Sequence, residues 1–264
     1  MDKVYGHRFY VLVVIISYTI IINFGNNIID TFAQDSSNLP FDKTVKFNLT
    51  DDEITKTFWD WSHNLSVEQV PDSANPSKET ECVMYKDDNK KIVILLDPYF
   101  LGKIVQKCDI PTGYHIIVPL YNAHCDTGQT GSENFTFEQL LQCAKDADKG
   151  NLLVNIDIDN INFINYKASV GNSPQNEYIR EVESSKSENS TTSPNSRFIT
   201  SGLYANPGTY PTASHGWFAI LPPLTEGTHT LSYRIEVVAT GDLLLKANEW
   251  NFVSDITYLF NVKK

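Results

Sequence analysis

The sequence predicts an α+β fold that is mainly β: an antiparallel, jelly-roll-like β-sandwich with two helices in the N-terminal half. Two observations predict this fold class. After residue 151, apolar and polar residues alternate in several segments, which is typical of antiparallel strands with one buried face. The two segments with helical spacing, residues 50–65 and 136–147, both come earlier in the chain.

Capping boxes mark the start of both predicted helices. Thr50 with Glu53 forms the first box and Thr136 with Gln139 forms the second, because each pair satisfies two free backbone N–H groups. Behind the first box, one apolar stripe repeats at helical spacing: Ile54, Phe58, Trp61 and Leu65. Trp59 lies off this stripe.

Strands are predicted from short apolar runs and from alternation with a period of two. Before residue 151, the predicted strands are residues 45–49, 92–96 and 114–120. After it, they are residues 152–158, 161–170, 176–183, 216–221, 229–237 and 252–262. Asp159 and Asn160 form the turn of a hairpin between the first two of these, because both residue types tolerate a positive φ. The polar, serine-rich segment 184–197 predicts a mobile loop.

The N-terminus predicts export. Lys3 and Arg8 precede an apolar run over residues 9–22, which is shorter than the ~20 residues that a bilayer span needs. Small residues then precede a cleavage point after Ala33, so residues 1–33 are predicted to be a signal peptide. The alternative is an uncleaved leader that anchors the chain. The mature chain contains no later predicted span, so we expect a secreted or cell-surface protein.

The remaining chain divides into a flexible spacer, residues 34–44, and a single β-sandwich domain, residues 45–264. The alternative is a second domain that starts near residue 150, but the first part alone has too few predicted strands for a sandwich. Lys and Arg number 21 and Asp and Glu number 32, which gives a net charge of −11. This balance disfavours nucleic-acid binding, because phosphate neutralisation needs clustered cations.

Four cysteines agree with an oxidising compartment. They allow three pairings, and we favour Cys82–Cys108 with Cys125–Cys143, because sequential pairing closes short loops. The alternative is a catalytic thiol at Cys125, which stands between His124 and Asp126. Sequence neighbours point to opposite sides of an extended chain, so this adjacency is weak support for a catalytic pair.

Asn-x-Ser/Thr sequons provide four candidate glycosylation sites: Asn48, Asn64, Asn134 and Asn189. Asn189 is best placed, because it lies in the predicted mobile loop.

With these motifs placed, the chain resembles an uncharacterised group of small exported proteins of archaea and bacteria. The resemblance spans most of residues 54–262. Its motifs are Trp59 and Trp61, the strand between Cys82 and Cys108, the CDIPTG segment at 108–113, Pro119 with Asn122 and Cys125, and Trp217 with residues 221–231. The resemblance implies an exported, disulfide-bonded, β-rich domain and assigns no catalytic residue.

Three residue sets are candidates for binding. Asn155, Asp157 and Asp159 alternate along one strand and its turn, so their oxygens share a face and form a weak calcium candidate. His229 falls on the apolar face of its strand, where we expect a hydrogen-bonded core histidine. Aromatic residues outside the buried stripes are candidates for stacking on sugar rings: Trp59, Tyr204, Tyr210 and Trp250.

The sequence lacks the GxSxG, HExxH, Walker A and GxGxxG motifs of common enzymes. We therefore predict an exported, non-catalytic domain without a cofactor that interacts with cell-envelope material, glycans or another protein. The alternative is a secreted hydrolase with a carboxylate or histidine site, for which His124, Asp157 and Asp159 are the residues to test.

Overall fold

The computed structural model describes residues 39–70, 79–96, 103–129, 131–147, 150–169, 176–200, 206–239 and 250–264. Within these residues the helices are α1 (Asp51–His63), α2 (Phe137–Ala147) and α3 (Arg197–Thr200), and a 3-10 turn covers Val67–Gln69. The strands are β1 (Glu79–Glu81), β2 (Met84–Asp87), β3 (Ile92–Leu95), β4 (Lys103–Pro111), β5 (His115–Asp126), β6 (Gly150–Ile158), β7 (Ile161–Ser169), β8 (Ile179–Glu183), β9 (Glu188–Thr192), β10 (Gly208–Leu221), β11 (Gly227–Ala239) and β12 (Trp250–Lys263).

The strands form two six-stranded sheets that pack against each other. Sheet one has the order β1-β4-β12-β11-β6-β7. Sheet two has the order β2-β3-β5-β10-β8, and β9 also pairs with β10. Most neighbours are antiparallel, whereas β1–β4, β4–β12 and β3–β5 are parallel. The predicted fold class, a mainly β sandwich with helices, is confirmed.

Each sheet takes strands from both sides of residue 150, where the sequence left a domain boundary open. Sheet one combines β1 and β4 with four later strands, and sheet two combines β2, β3 and β5 with three later strands. A division at residue 150 would therefore break both sheets. Residues 39–264 cluster as one compact unit.

The main core lies between the inner faces of the two sheets. Period-2 alternation directs Tyr233 and Tyr258 inward from sheet one and Val118 and Trp217 inward from sheet two. Trp217 is 2% exposed and Tyr258 is fully buried. Fully burying one large apolar side chain contributes about 1.5–3 kcal/mol, so this interior is the main source of stability.

Helix α1 covers the outer face of sheet two. Its predicted capping box is present: Thr50 Oγ1 accepts a hydrogen bond from the Glu53 backbone N–H, and the Glu53 carboxylate accepts one from the Thr50 N–H. Phe58 is fully buried and meets Phe218 of β10 edge-to-face at 5.6 Å between ring centroids. Both faces of sheet two are therefore covered.

Helix α2 begins at the second predicted capping box, where Thr136 N–H donates to Gln139 Oε1 at 2.8 Å. Its buried residues, Leu140 and Ala144, pack against Cys125 and Ala213 at one end of sheet two. The Cys125–Cys143 disulfide ties the helix to β5.

Both predicted disulfides are present. The Cα atoms are 4.8 Å apart in Cys82–Cys108 and 6.0 Å apart in Cys125–Cys143. The catalytic-thiol hypothesis for Cys125 is therefore wrong, because its sulfur is in a disulfide.

Two local predictions differ from the structure, and some strands were missed. Residues 45–49 form no strand. The loop predicted at 184–197 contains β9 and the start of α3, because small hydroxyl side chains of this segment fit beneath α1 and leave Ser190 only 2% exposed. Strands β1, β2 and β4 were not predicted.

The spacer predicted at 34–44 ends earlier than expected. Asp42 N–H donates to the Pro223 carbonyl at 2.7 Å, and Thr225 N–H donates to the Pro40 carbonyl at 2.9 Å. The Phe41 ring lies 5.1 Å from that of Phe163, so residues 40–42 are held by the domain. The predicted leader, residues 1–33, and residues 34–38 lie outside the described residues. Among the described helices, none has the length and apolar character of a membrane span.

Candidate functional site

Two regions of the described chain combine polar groups in a way that could support a function. The first, here called the histidine cluster, lies between α1 and the outer face of sheet two and consists of Trp59, His63, His124, Asp126 and Ser190. Trp59 and His63 are one turn apart on α1, and His124 and Asp126 are on the same side of β5 because they are two residues apart. Ser190 comes from β9.

The cluster is closely connected. His124 Nε2 lies 2.8 Å from Asp126 Oδ2, and the two side chains are 4% and 1% exposed. His63 Nδ1 lies 2.7 Å from Ser190 Oγ. The Trp59 ring stacks on His124 with 4.8 Å between centroids, and the His63 and His124 rings meet edge-on at 4.3 Å. These contacts join α1, β5 and β9.

Burial controls the charge state of His63, which is 1% exposed. Desolvation is the main reason that its pKa lies well below the ordinary value, and the electrostatic interactions with His124 and Arg197 act in the same direction. His63 is therefore neutral near pH 7, and one ring nitrogen of a neutral imidazole donates a hydrogen bond while the other accepts one.

The histidine cluster does not have the geometry of a Ser-His-Asp triad. In a triad, one imidazole contacts the serine through one nitrogen and the carboxylate through the other. Here Ser190 contacts His63, whereas Asp126 contacts the other imidazole, that of His124. Ser190 is 2% exposed, so its Oγ is closed to a substrate in this structure. The cluster fastens α1 and β9 to β5.

The second region, here called the groove, lies on the outer face of sheet one, where β1, β4, β12 and β11 run side by side. One cross-strand row on this face is Glu81, Lys107, Leu259 and Thr230. The next row is Asp109, Asn261 and Thr228. Long charged side chains stand at the β1–β4 edge and short ones stand on β11, which leaves a depression of about 550 Å³.

Hydrogen bonds fix the charged side of the groove. Lys263 Nζ lies 2.6 Å from Asp109 Oδ2, and Asn261 Nδ2 donates to Asp109 Oδ1 at 2.8 Å. These two bonds, in that order, lower the pKa of the Asp109 carboxyl. The Lys107 ammonium pairs with Glu79, and the hydrogen bond between them raises the pKa of Lys107.

His229 supports the β11 side of the groove. Its Nδ1 lies 2.8 Å from Asp159 Oδ2 and its Nε2 lies 2.9 Å from the Thr225 carbonyl oxygen. The other oxygen of Asp159 accepts a hydrogen bond from the Thr230 N–H at 2.8 Å. His229 is thus a hydrogen-bonded histidine on the inward face of its strand, as predicted.

The row proposed for calcium is used by protein hydrogen bonds. Asn162 Nδ2 donates to Asn155 Oδ1 at 2.5 Å and to Asp157 Oδ1 at 2.9 Å. Asp159 turns away to His229, with φ of 52° in the predicted hairpin turn. Among the described residues, no three His, Cys, Asp or Glu side chains are arranged to hold a metal ion. Calcium binding at this row stays a prediction.

The aromatic candidates have different surroundings. Trp59, expected to be exposed, is 8% exposed because α1 presses it onto His124, so it offers no ring face to solvent. Tyr210 is half-buried; its hydroxyl donates to the Asn206 carbonyl at 3.0 Å. Tyr204 and the side chain of Trp250 lie outside the described residues.

All four sequon asparagines, Asn48, Asn64, Asn134 and Asn189, are exposed. Asn48 and Asn64 flank α1, Asn189 lies on β9, and Asn134 precedes α2. All four positions belong to sheet two or to segments next to it. The outward residues of sheet one are in no sequon.

Sequence reasoning identified His124, Asp126 and His229 but missed both spatial groupings. The period-2 spacing of His124 and Asp126 was the signal for a shared strand face. Ser190 carried no signal, because its segment predicted a loop. The groove had no signal either, since it forms where β4 pairs with β12, and these two strands are far apart in the chain.

No protein-family model and no curated protein matches this chain. It shows weak similarity to the crystal structure of a mutant of CfaE, the CFA/I adhesin of enterotoxigenic E. coli, with 8% identity over 58% of this chain and 37% of that chain and a TM-score of 0.15. It shows a similarly weak similarity to the crystal structure of CfaE, the adhesive subunit of CFA/I fimbria of enterotoxigenic Escherichia coli, with 6% identity over 70% of this chain and 46% of that chain and a TM-score of 0.16. This chain thus matches less than half the length of either adhesin, and likenesses at these TM-scores carry no argument about fold or function.

Proposed function

We propose that the chain is an exported, non-catalytic binding domain that acts at or outside the cell surface on envelope material, glycans or another protein. One observation carries this proposal. The polar face of sheet one is open to solvent and contains a groove, whereas the side chains of the histidine cluster are buried under α1.

The difference between the two sheets supports a binding face. Sheet two is covered by the core on one side and by α1 on the other. The outward side chains of sheet one are exposed or half-buried, and they are mostly hydroxyls, amides and charged groups. A rigid sheet with such a face is suited to hold ligand-contacting groups in fixed positions.

Two features support export. Both disulfides are closed, and such bonds persist in oxidising compartments outside the cytosol. The four exposed sequons lie away from the outer face of sheet one, so glycans attached to them would leave that face free.

The experiment is expression of the full chain, with its leader, in a secreting host. Recovery from the medium with a new N-terminus after Ala33 would support export and leader cleavage. The product is then applied to a glycan array and to generic esterase, glycosidase and peptidase substrates. Saturable binding without turnover is the expected result. Turnover that is lost in His124→Ala or Asp157→Ala, with an unchanged circular dichroism spectrum, would favour the hydrolase alternative and overturn the binding proposal.

A further inference from the structure

We infer that the groove on the outer face of sheet one binds a neutral oligosaccharide segment. The inference rests on the proposed function and assigns it a site and a ligand class. The groove measures about 550 Å³, within the range of about 300–1,000 Å³ that is usual for small-ligand sites.

The hydrogen-bonding groups of the groove match those of sugar hydroxyls. The carboxylates of Glu81 and Asp109 accept hydrogen bonds, and the hydroxyls of Thr228 and Thr230 both donate and accept. A sugar hydroxyl also does both, so each group in the groove has a partner on a polyhydroxylated ligand.

Charge pairing within the groove disfavours an ionic ligand. Lys107 pairs with Glu79 and Lys263 pairs with Asp109, and Glu81 adds one further carboxylate. Positively and negatively charged side chains therefore lie next to each other on this surface. An anionic ligand would meet a carboxylate beside each ammonium. A cationic ligand would likewise meet an ammonium beside each carboxylate. A neutral ligand forms hydrogen bonds to both without repulsion.

The floor of the groove provides a small apolar contact. Leu259 is half-buried and stands between Lys107 and Thr230 in the same cross-strand row. Leu259 therefore places an apolar surface among polar side chains. This arrangement suits a sugar ring, because a sugar ring has C–H groups on its face and hydroxyls on its edge.

Both sides of the groove are held in place before a ligand arrives. The Cys82–Cys108 disulfide fixes β4 on one side of the groove. On the other side, the contacts of His229 with Asp159 and the Thr225 carbonyl fix the start of β11. Preorganisation of this kind reduces the entropy lost on binding.

The test is calorimetric titration of the purified full-length secreted product with five-residue oligomers of neutral, anionic and cationic sugars. The neutral probes are cellopentaose, maltopentaose and chitopentaose; the anionic probe is pentagalacturonate and the cationic probe is a chitosan pentamer. Thr228→Trp fills the groove from an exposed position, and Asn261→Ala removes the amide that orients Asp109. Asn165→Ala is the matched control, because Asn165 is an exposed asparagine on the same sheet face, opposite Asn155 and outside the groove.

We expect at least one neutral oligomer to bind and both groove variants to weaken it by about tenfold or more, with Asn165→Ala unchanged. If Thr228→Trp fails to fold, Asn261→Ala decides the result. Three results would overturn the inference. They are preferential binding of a charged oligomer, groove variants that bind a neutral oligomer as tightly as the unmodified protein does, or no binding of any neutral oligomer at concentrations up to about 10 mM. If the array still shows saturable binding in any of these cases, the inference of a neutral oligosaccharide in the groove fails and the proposed function stands. If the array shows none, the glycan part of the proposed function fails as well, and only envelope material or another protein would remain as its ligand.

Discussion

His63 Nδ1 and Ser190 Oγ lie 2.7 Å apart, although 127 residues separate them in the chain. This contact joins α1 to β9, and the stacking of Trp59 on His124 joins the same helix to β5. The histidine cluster is therefore a polar link between the helix and the outer face of sheet two. Because the link is buried, its protonation state is coupled to folding.

The first prediction concerns pH. Desolvation, followed by the electrostatic interactions with His124 and Arg197, holds the pKa of His63 well below its ordinary value of about 6.5, and desolvation also lowers the pKa of His115. Below pH ~6.5 the unfolded chain then binds more protons than the folded one. We expect full stability above this pH and a decrease as the pH falls, by up to about 1.4 kcal/mol per pH unit for each such histidine. Urea unfolding at a series of pH values measures how the free energy of unfolding depends on pH.

The control for this prediction is His63→Asn, which keeps a hydrogen-bonding group near the Nδ1 position but does not titrate. The pH slope of the variant should be smaller, with the part that remains due to His115 and other groups. A free energy of unfolding that increases on acidification from pH ~7 would contradict the assignment of His63 as neutral.

The second prediction concerns the capping box of α1. Thr50→Ala removes the hydroxyl that accepts from the Glu53 N–H, and loss of such a cap costs about 1 kcal/mol. Thr50→Ser keeps the hydroxyl and should retain most of the stability. Both proteins are made in a host that does not glycosylate, because Thr50 also completes the Asn48 sequon. Equal stability of the two variants would show that the cap contributes little.

The third prediction concerns the Cys125–Cys143 disulfide. Helix α2 packs through a small cluster whose fully buried members on the helix are Leu140 and Ala144, so the disulfide is a large part of its attachment. Replacing both cysteines by alanine should lower the free energy of unfolding by about 3 kcal/mol and expose the amides of α2 to hydrogen exchange.

Replacement of Cys82 and Cys108 is the matched control for this experiment. The sequence separations of the two disulfides, 26 and 18, are similar, so the chain-entropy term is similar as well. Amide protection of α2 should survive in the control. Loss of α2 protection in both double variants would indicate global unfolding instead of local release.

Much of the fold could be predicted because its signals are local. The capping boxes of α1 and α2 involve residues three positions apart, and the β6–β7 hairpin is marked by Asp159 and Asn160 at its turn. Strand β9 could not be predicted in this way. Its serines and threonines are typical of a loop, and the segment becomes a strand because Ser190 is buried against His63 and the backbone pairs with β10.

The candidate sites were predicted less well, because they too depend on contacts between residues that are far apart in the chain. The groove requires Lys107, Asn261 and Thr228 on neighbouring strands, and their positions depend on the parallel pairing of β4 with β12. A parallel pair has no connecting turn that marks it in the sequence. His124 and Asp126 showed the correct spacing, but they were considered together only as neighbours of Cys125, and nothing in the sequence linked them to Trp59, His63 and Ser190.

The last prediction concerns Gln106, a fully buried side chain on the inner face of β4. It lies between Thr80 and Tyr258 in the strand register, and neither its amide nitrogen nor its amide oxygen has a hydrogen-bond partner among the described residues. A buried polar group without a partner costs about 1–3 kcal/mol, so Gln106→Met, which keeps the volume and removes the amide, should raise the free energy of unfolding by a similar amount.

Gln106→Ala is the control, because it also removes the amide but leaves a cavity and should be destabilising. Chemical unfolding of the three proteins compares them directly; a destabilised Gln106→Met variant would mean that the amide makes a stabilising hydrogen bond in the folded protein.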